Sequence, residues 1–444
     1  MKARTSWLVL CVVIAAGLAC ATAQPAPAAE NSTPGDMQAH QPPQQVSVTE
    51  YSLPPDKLAK AEALYKTRTV LYLADMVFGI AVLWVLLKLR LAPAFHDLAE
   101  RASTNTFMQA VIFVPLLTLL IAVTSLPIEI YGHHISLAYG LSVQGWASWA
   151  GDWCKAQAVS LVILVPMVFA LFWIIRKSPQ RWWFYFWLLT LPFLVLLIFV
   201  TPVILDPMFN TFEPLEKKQP LLVSEIEKVT QRGGLSIPRD RMFEMEASAK
   251  VTTYNAYVTG IGATKRVVVW DNTSRDLTIP ETLFVFGHEM GHYVLNHIYK
   301  GLAFAAIMLL PGFWLGSRVV LAMLARWGEA WHIRGIHDLA ALPVLMLTLS
   351  LLTFAGEPIG NAFSRHIEHQ ADIYGLEVTH GLFPNNNEVA ASSFQKLGEK
   401  SYDYPNPNPL LVFWSYSHPS IAQRIRFCLA YDPWHTPAGP KYVK

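Results

Sequence analysis

The motif that decides the fold and chemistry of this chain lies at residues 279–292, with the sequence IPETLFVFGHEMGH. Its last five letters have the pattern His-Glu-x-x-His. Residues four positions apart share one face of a helix, so His288 and His292 can bind the same metal ion. Glu289 follows His288 directly and can act on a water molecule beside that metal. The motif therefore predicts a catalytic metal site on a helix.

The residues around the motif favour a buried helix. Pro280 is typical of a first helical turn, and Thr278 with Glu281 fits the start of a helix. The run 283–286 is entirely apolar. Because so short a motif also arises by chance, the rest of the site has to be found elsewhere in the chain.

The composition indicates a membrane protein. The chain has 444 residues, of which 53% are hydrophobic and only 15% charged. In a typical soluble domain, about a quarter of the residues are charged. The net charge of +2 is too small to favour a nucleic-acid partner, so none is expected.

Six apolar runs are close to the length that a helix needs to cross a bilayer. They lie at about residues 69–87, 107–126, 157–175, 184–204, 302–323 and 339–356. Five of these runs contain a proline, namely Pro115, Pro166, Pro192, Pro311 and Pro343. Prolines are tolerated in membrane helices that border protein or a water-filled cavity. The sequence therefore predicts a mainly α-helical, polytopic membrane protein with an internal cavity.

The remaining segments divide the chain around these runs. Residues 1–23 have the pattern of a secretory signal peptide, and an uncleaved anchor helix is the alternative. Residues 24–68 are predicted to be a disordered linker followed by a short helix. After residue 68 we predict four membrane spans within 69–204 and a first polar part at 205–300. Two further membrane spans follow within 301–358, then a second polar part at 359–431 and a C-terminal tail at 432–444. Short strands are predicted at 241–247, 255–259 and 265–271, and an amphipathic helix at 220–232.

Two histidines do not complete a catalytic zinc site, which needs a third protein ligand and one open position. Glu368 is the best candidate, because Asp372 lies four residues later on the same helix face. Asp372 can then accept a hydrogen bond from a liganding imidazole and fix its orientation. His366 and His369 are rival ligands that lack an acid at this spacing.

Several motifs in matching order resemble the type I CaaX prenyl endopeptidases, which are multi-pass a-factor-converting zinc proteases related to the HtpX heat-shock protease. The resemblance covers roughly residues 70–430. The motifs are LDPMFNTFEPL at 205–215, NAY at 255–257, HEMGH followed by His297, RHIEHQAD at 365–372, and YSHPS at 416–420 followed by Arg424.

The resemblance implies a role for each motif. By this resemblance, one zinc ion is bound by His288, His292 and Glu368, and Glu289 is the general base. Asn255 contacts the substrate backbone. The oxyanion is stabilised by His418 and Arg424. It also implies a ring of membrane helices around a chamber, capped by a zincin-like α+β metalloprotease domain with a short β-sheet. The predicted strand at 266–271 suggests that the substrate docks as an added strand.

The orientation of the site follows from the basic residues. Nine Lys and Arg lie after the first and third spans and near or after the end of the fifth, whereas the loop 127–153 contains none. The positive-inside rule therefore favours an extracytoplasmic site in a bacterial-type inner membrane. Lys and Arg before the first span and around the polar part favour the opposite orientation. This chain differs from the CaaX prenyl endopeptidases in two respects. The active site of that family faces the cytosol, and the first membrane helix of that family is replaced here by the signal-like segment.

These observations predict an integral-membrane zinc metalloendopeptidase that acts on a peptide or protein, either prenylated or membrane-embedded, in contact with membrane lipid. The first alternative is a quality-control protease of membrane or envelope proteins that does not recognise a prenyl group. A further alternative is a non-catalytic membrane chamber or transporter that keeps zinc for structure.

Overall fold

The computed structural model describes residues 44–260 and 265–443. The predicted signal peptide or anchor at residues 1–23 lies outside these ranges. The longer helices are α1 Pro55–Lys88, α2 Leu91–Ala102, α3 Thr106–Ala138, α4 Trp146–Lys177, α5 Trp182–Val200, α6 Pro220–Arg232, α7 Asp271–Asp276, α8 Ile279–Val294, α9 His297–Trp327, α10 Leu342–Thr379, α11 Asn386–Ser401, α12 Pro409–Ser415 and α13 Ile421–Ala430. The strands are β1 Phe212–Pro214, β2 Met242–Met245, β3 Ala256–Thr259 and β4 Arg266–Trp270.

Six helices of the described chain are long and apolar enough to cross a membrane, namely α1, α3, α4, α5 with its extension to Phe209, α9, and α10 with the turn before it. Each contains one of the six predicted runs, so the predicted polytopic membrane fold is confirmed. One boundary differs. Residues 55–68 form the first turns of α1 instead of a separate short helix, because no proline interrupts the chain between Pro55 and Lys88.

The spanning helices form a closed ring. Each one packs against the next in the order α1, α3, α4, α5, α9 and α10, and α10 packs against α1. In each of the first five helices, 17–33% of the most apolar 18-residue stretch is buried within the protein, whereas the corresponding fraction in α10 is 56%. The low buried fractions agree with a ring of helices around a chamber. Helix α10 is more enclosed because it continues into the extramembrane part.

A cluster of buried apolar side chains lies at one end of the ring. It includes Leu87 of α1, Phe113 of α3, Phe172 and Ile175 of α4, and Leu342 of α10. The other end is covered by the extramembrane domain, which we define as residues 210–294 together with 366–443. Apolar contacts therefore close the ring at one end, and a folded domain covers the end where the HEMGH helix lies.

The extramembrane domain contains a four-stranded sheet of order β1-β2-β4-β3. β1 is antiparallel to β2, β2 is parallel to β4, and β3 is antiparallel to β4. β2, β3 and β4 coincide with the three predicted strands, and β1 was not predicted. Helix α8 packs against β3, α6, α10 and α11, so it lies at the centre of this domain.

Two glycines set the distance between α8 and α10. A Cβ atom on Gly375 would meet the backbone nitrogen of His288 at 3.0 Å. A Cβ atom on Gly287 would meet the side chain of Val378 at 2.9 Å and the Cα atom of Gly375 at 3.4 Å. A larger residue at Gly287 requires the Val378 side chain to move, and one at Gly375 requires the backbone at His288 to shift by a few tenths of an ångström.

We predict that Gly375→Ala destabilises the protein by about 1–3 kcal/mol, because the added methyl group meets backbone atoms that cannot turn away. Thermal unfolding in detergent measures the effect. Gly356→Ala is the matched control, since Gly356 lies in the same helix and a Cβ atom there meets nothing within 4 Å. Equal stability of the two variants would show that the close approach is not required.

Candidate metal centre and active site

The start of α8 is fixed by a capping box. Thr278 accepts a hydrogen bond from the backbone of Glu281, and the Glu281 carboxylate accepts one from the backbone of Thr278, as the sequence suggested. The buried Glu281 carboxylate also accepts from Ser392 at 2.5 Å and pairs with Lys396 at 2.7 Å. These contacts fix α8 against α11 and so determine where the HEMGH motif lies.

Three predicted ligands meet between α8 and α10. His288 Nε2 lies 3.2 Å from His292 Nε2 and 3.3 Å from Glu368 Oε2, and His292 Nε2 lies 3.5 Å from Glu368 Oε1. Tetrahedral zinc with bonds of about 2.0–2.1 Å requires ligand atoms about 3.3 Å apart. Glu368 Oε2 is buried and has no hydrogen-bond partner among the described residues. The donor set and its spacing therefore fit a tetrahedral cation.

The rival ligands lie elsewhere. Within the described ranges, one group of three His, Cys, Asp or Glu side chains has its possible ligand atoms within 4.8 Å of one another. Its members are His288, His292 and Glu368. His369 packs its ring against Phe427, with the ring centres 4.4 Å apart. The exposed His366 contacts the Gln370 amide at 2.8 Å. The structure therefore brings Glu368 to the two helix histidines and leaves both rivals outside.

Asp372 lies where the four-residue spacing predicted. Its Oδ1 atom is 2.9 Å from His288 Nδ1, on the side of the ring opposite the ligand atom. Arg424 donates to both Asp372 oxygens, at 2.5 and 3.0 Å. Both side chains are buried, so the guanidinium compensates the Asp372 charge and fixes the carboxylate that orients His288.

The oxyanion role predicted for Arg424 stays a prediction, and the observed contacts favour another role. The resemblance implied that Arg424 stabilises the oxyanion, but Nε and Nη2 are both engaged by Asp372. Nη2 also lies 3.2 Å from His288 Nδ1. The contacts are those of a positioning residue behind His288. Sequence spacing could not reveal this, because the partners lie 52 residues apart.

His418 lies beside the ligand set and remains accessible. Its Nε2 atom is 3.3 Å from Glu368 Oε1, and 47% of its side chain is exposed. Arg365 donates to the backbone oxygens of Val412 and Tyr416 and so holds the segment that leads to His418. An imidazole in this place can donate a hydrogen bond to a substrate oxygen near the metal centre.

The electrostatic environment suits metal binding. Burial lowers the pKa of His292 to about 3, so this imidazole is neutral and has a lone pair to give. Burial alone would lower the pKa of His288, but Asp372 and Glu368 raise it to about 9. A cation therefore competes with a proton at His288. Burial raises the pKa of Glu289 to about 7, in the range that suits a general base at neutral pH.

Two further side chains support His292, and the sequence argument assigned neither of them a role. His297 Nδ1 lies 3.0 Å from His292 Nδ1, and His297 Nε2 lies 3.1 Å from Gln370 Oε1. His297 appeared only as part of the family motif. Gln370 lies two residues after Glu368, but an uncharged amide gives no signal in a search for ligands.

Asn255 directly precedes β3, which packs against α8. Its backbone is fixed by Thr273, which accepts from Asn255 N at 2.8 Å and donates to Asn255 O at 2.7 Å. The expectation that the substrate docks on the strand at 266–271 is wrong, because β4 is paired on both sides. β3 is the edge of the sheet next to α8 and can accept an added strand.

Known proteins share both halves of this architecture. Residues 36–211 match a family model described as the CAAX prenyl protease N-terminal domain with five membrane helices, and residues 216–431 match peptidase family M48. The chain is 38% identical to the uncharacterized metalloprotease YhfN of Bacillus subtilis (strain 168), over 84% of this chain and 85% of that protein. It is 28% identical to the CAAX prenyl protease 1 homolog of Dictyostelium discoideum, over 61% and 62% of the two chains.

A solved structure shows the same fold. The crystal structure of S. mikatae Ste24p superposes with a TM-score of 0.74 at 23% identity, covering 87% of this chain and 92% of that one. The ring of spans and the domain that covers it thus define a multi-pass membrane metalloprotease. The chain belongs to peptidase family M48, and the predicted resemblance to the CaaX prenyl endopeptidases is confirmed.

We predict that Glu368→Ala loses bound metal, because the two histidines alone leave the cation with too few protein ligands. His369→Ala, one position along the same helix, is the matched control and keeps its metal. Metal content after gel filtration, measured by atomic emission, reports both. Full metal retention by Glu368→Ala would exclude Glu368 as a ligand.

Proposed function

We propose that this protein is a zinc endopeptidase with one zinc ion per chain, held by His288, His292 and Glu368. The observation that carries the proposal is the 3.2–3.5 Å spacing of three ligand atoms next to a buried glutamate. Zinc bound there would act as a Lewis acid towards the scissile carbonyl and the attacking water. The described residues bring three ligand atoms together, which leaves the fourth position open and argues against a structural zinc site.

Glu289 is the general base in this proposal. Its carboxylate takes a proton from the attacking water and later gives it to the leaving amine. The position of Glu289 directly after His288 in α8 keeps it beside the ligand set. A pKa of about 7 allows the group to accept and then release a proton near neutral pH.

Substrate binding uses the edge of the sheet and the accessible imidazole. A peptide added along β3 places its backbone beside α8, with Asn255 at the start of that strand. His418 donates a hydrogen bond to the developing oxyanion. Arg424 acts behind His288 by holding the Asp372 carboxylate.

We predict that Glu289→Ala lowers peptide cleavage by about 10²–10⁴-fold, because the attacking water loses its general base. Cleavage of a casein-type substrate, with and without a chelator, measures the activity. Zinc content is the control and stays at the wild-type level, since Glu289 is not a ligand. Full activity of Glu289→Ala would refute the proposed mechanism.

The membrane orientation bears on the substrate. Helix α9 begins near the metal centre at His297 and rises about 45 Å over its 31 residues. Arg326 and Arg334 lie at or beyond its far end, where Arg334 pairs with Glu100 at 3.0 Å. Basic residues at the ends of α1, α4 and α9 thus lie on the side of the ring opposite the metal centre, whereas Lys57, Lys60, Lys66 and Arg68 lie on the metal side. Under the positive-inside rule, we propose that the catalytic domain faces the extracytoplasmic side of a bacterial-type inner membrane.

Two substrate classes remain within the proposed chemistry. Relatives named CAAX prenyl protease support a prenylated peptide. The charge distribution favours the second class, unmodified segments of membrane or envelope proteins, because prenylated CaaX substrates are cytosolic. A ring of helices next to the site suits a chain that is delivered from the membrane in either case.

We predict that a periplasmic reporter enzyme fused after Lys444 is active and that a cytoplasmic reporter at the same place is not. The C-terminus reports the side of the site because backbone amides of residues 441–443 are held by Glu377 of α10. The opposite pattern of reporter activity would overturn the proposed orientation.

We also predict that purified protein cleaves matched farnesylated and unmodified peptides at comparable rates, because an extracytoplasmic site meets unmodified chains. The comparison of kcat/KM for the two peptides measures this. The Glu289→Ala variant supplies the background rate for each peptide. A strong dependence on the farnesyl group would instead establish prenyl recognition.

A further inference from the structure

The two metal-ligand histidines receive different support on the ring nitrogen that faces away from the metal. A ligating imidazole needs a partner there, because that hydrogen bond decides which nitrogen carries the proton. For His288 the partner is the Asp372 carboxylate, which can only accept. For His292 the partner is another imidazole, His297, with the two Nδ1 atoms 3.0 Å apart. One of these two nitrogens has to donate and the other has to accept.

The hydrogen bond at the other ring nitrogen of His297, Nε2, decides which of the two Nδ1 atoms donates. His297 Nε2 lies 3.1 Å from the Gln370 side-chain oxygen. The same oxygen lies 3.4 Å from Lys300 Nζ, and an ammonium group can only donate. The Gln370 amide nitrogen in turn faces His366 Nε2 at 2.8 Å. The Lys300 ammonium therefore orients the amide, with its oxygen towards His297 and its nitrogen towards His366, whose Nε2 accepts.

The proton positions follow along the chain of contacts. Since Gln370 Oε1 accepts, His297 Nε2 carries the hydrogen and His297 Nδ1 has the lone pair. His292 Nδ1 then donates to His297. The lone pair of His292 is left on Nε2, the atom that lies 3.2 Å from His288 Nε2 and 3.5 Å from Glu368 Oε1.

We propose that His297 and Gln370 are positioning residues that hold His292 in the tautomer able to bind the metal. The inference rests on the zinc site of the proposed function. His297 is buried, so water does not replace it as an acceptor. The support is also uncharged.

Zinc affinity of the full-length protein in detergent tests this assignment without any activity assay. Zinc is titrated into the apo-protein against a chromogenic chelator, and the absorption spectrum of the cobalt-loaded protein reports the ligand geometry. Gln370→Met has a side chain of similar length that offers His297 no strong acceptor, and we expect its zinc affinity to fall by about 10–100-fold. Gln370→Glu keeps an acceptor and retains tight zinc binding with the wild-type cobalt spectrum.

The matched control is His366→Ala. His366 contacts only the nitrogen end of the amide, and Lys300 still orients the oxygen, so zinc affinity stays at the wild-type level. Wild-type affinity in Gln370→Met would overturn the proposal. Equal losses in Gln370→Met and Gln370→Glu would overturn it too, because they would indicate packing rather than hydrogen bonding.

A second pair of variants covers the case in which Gln370→Met does not fold. His297→Asn keeps a side-chain oxygen that can accept from His292, whereas His297→Leu does not, so only His297→Leu loses affinity. Equal affinities in this pair would overturn the proposal. A wild type that binds zinc but cleaves no peptide would refute the proposed function, while the affinity differences would still support the positioning role. A wild type without bound zinc would overturn both.

Discussion

The close approach of α8 and α10 is the constraint on which the metal centre depends. Two of the proposed ligands come from α8 and the third from α10, and their ligand atoms lie 3.2–3.5 Å apart. Gly287 and Gly375 remove the side chains that would otherwise separate the helices at this level. Because a glutamate side chain has a fixed reach, a wider separation would leave Glu368 short of the histidines. The contact between Asp372 and His288 depends on the same separation.

Helical spacing made most of the metal centre predictable from sequence. His288 with His292, and Glu368 with Asp372, are pairs four residues apart, and this periodicity is a local property of one helix. Contacts between distant segments could not be read in this way. The pairing of Arg424 with Asp372, the interior position of β4 and the contact of Gln370 with His297 all depend on tertiary packing. The apolar runs located the six spans but not the start of α1, whose first turns are polar.

The membrane ring and the catalytic chemistry impose opposite requirements on the same helices. Peptide hydrolysis needs water and buried charge, whereas the outer faces of the spans need an apolar surface. The structure places the apolar contacts and the polar catalytic groups at opposite ends of α10. Its first turns contribute Leu342 and Leu347 to the apolar cluster at one end of the ring, and its last turns contribute Glu368 and Asp372 at the other. A single continuous helix thus joins the apolar end of the ring to the metal centre.

The order of these parts along the chain has a consequence for biosynthesis. The nascent chain presents His288, Glu289 and His292 before the α9–α10 hairpin has been made, and Arg424 comes last. The first two proposed ligands therefore emerge before the third and before the guanidinium that compensates the Asp372 charge. Since Glu368 lies near the end of α10, its contact with His288 and His292 can form only after both helices of this hairpin have been made.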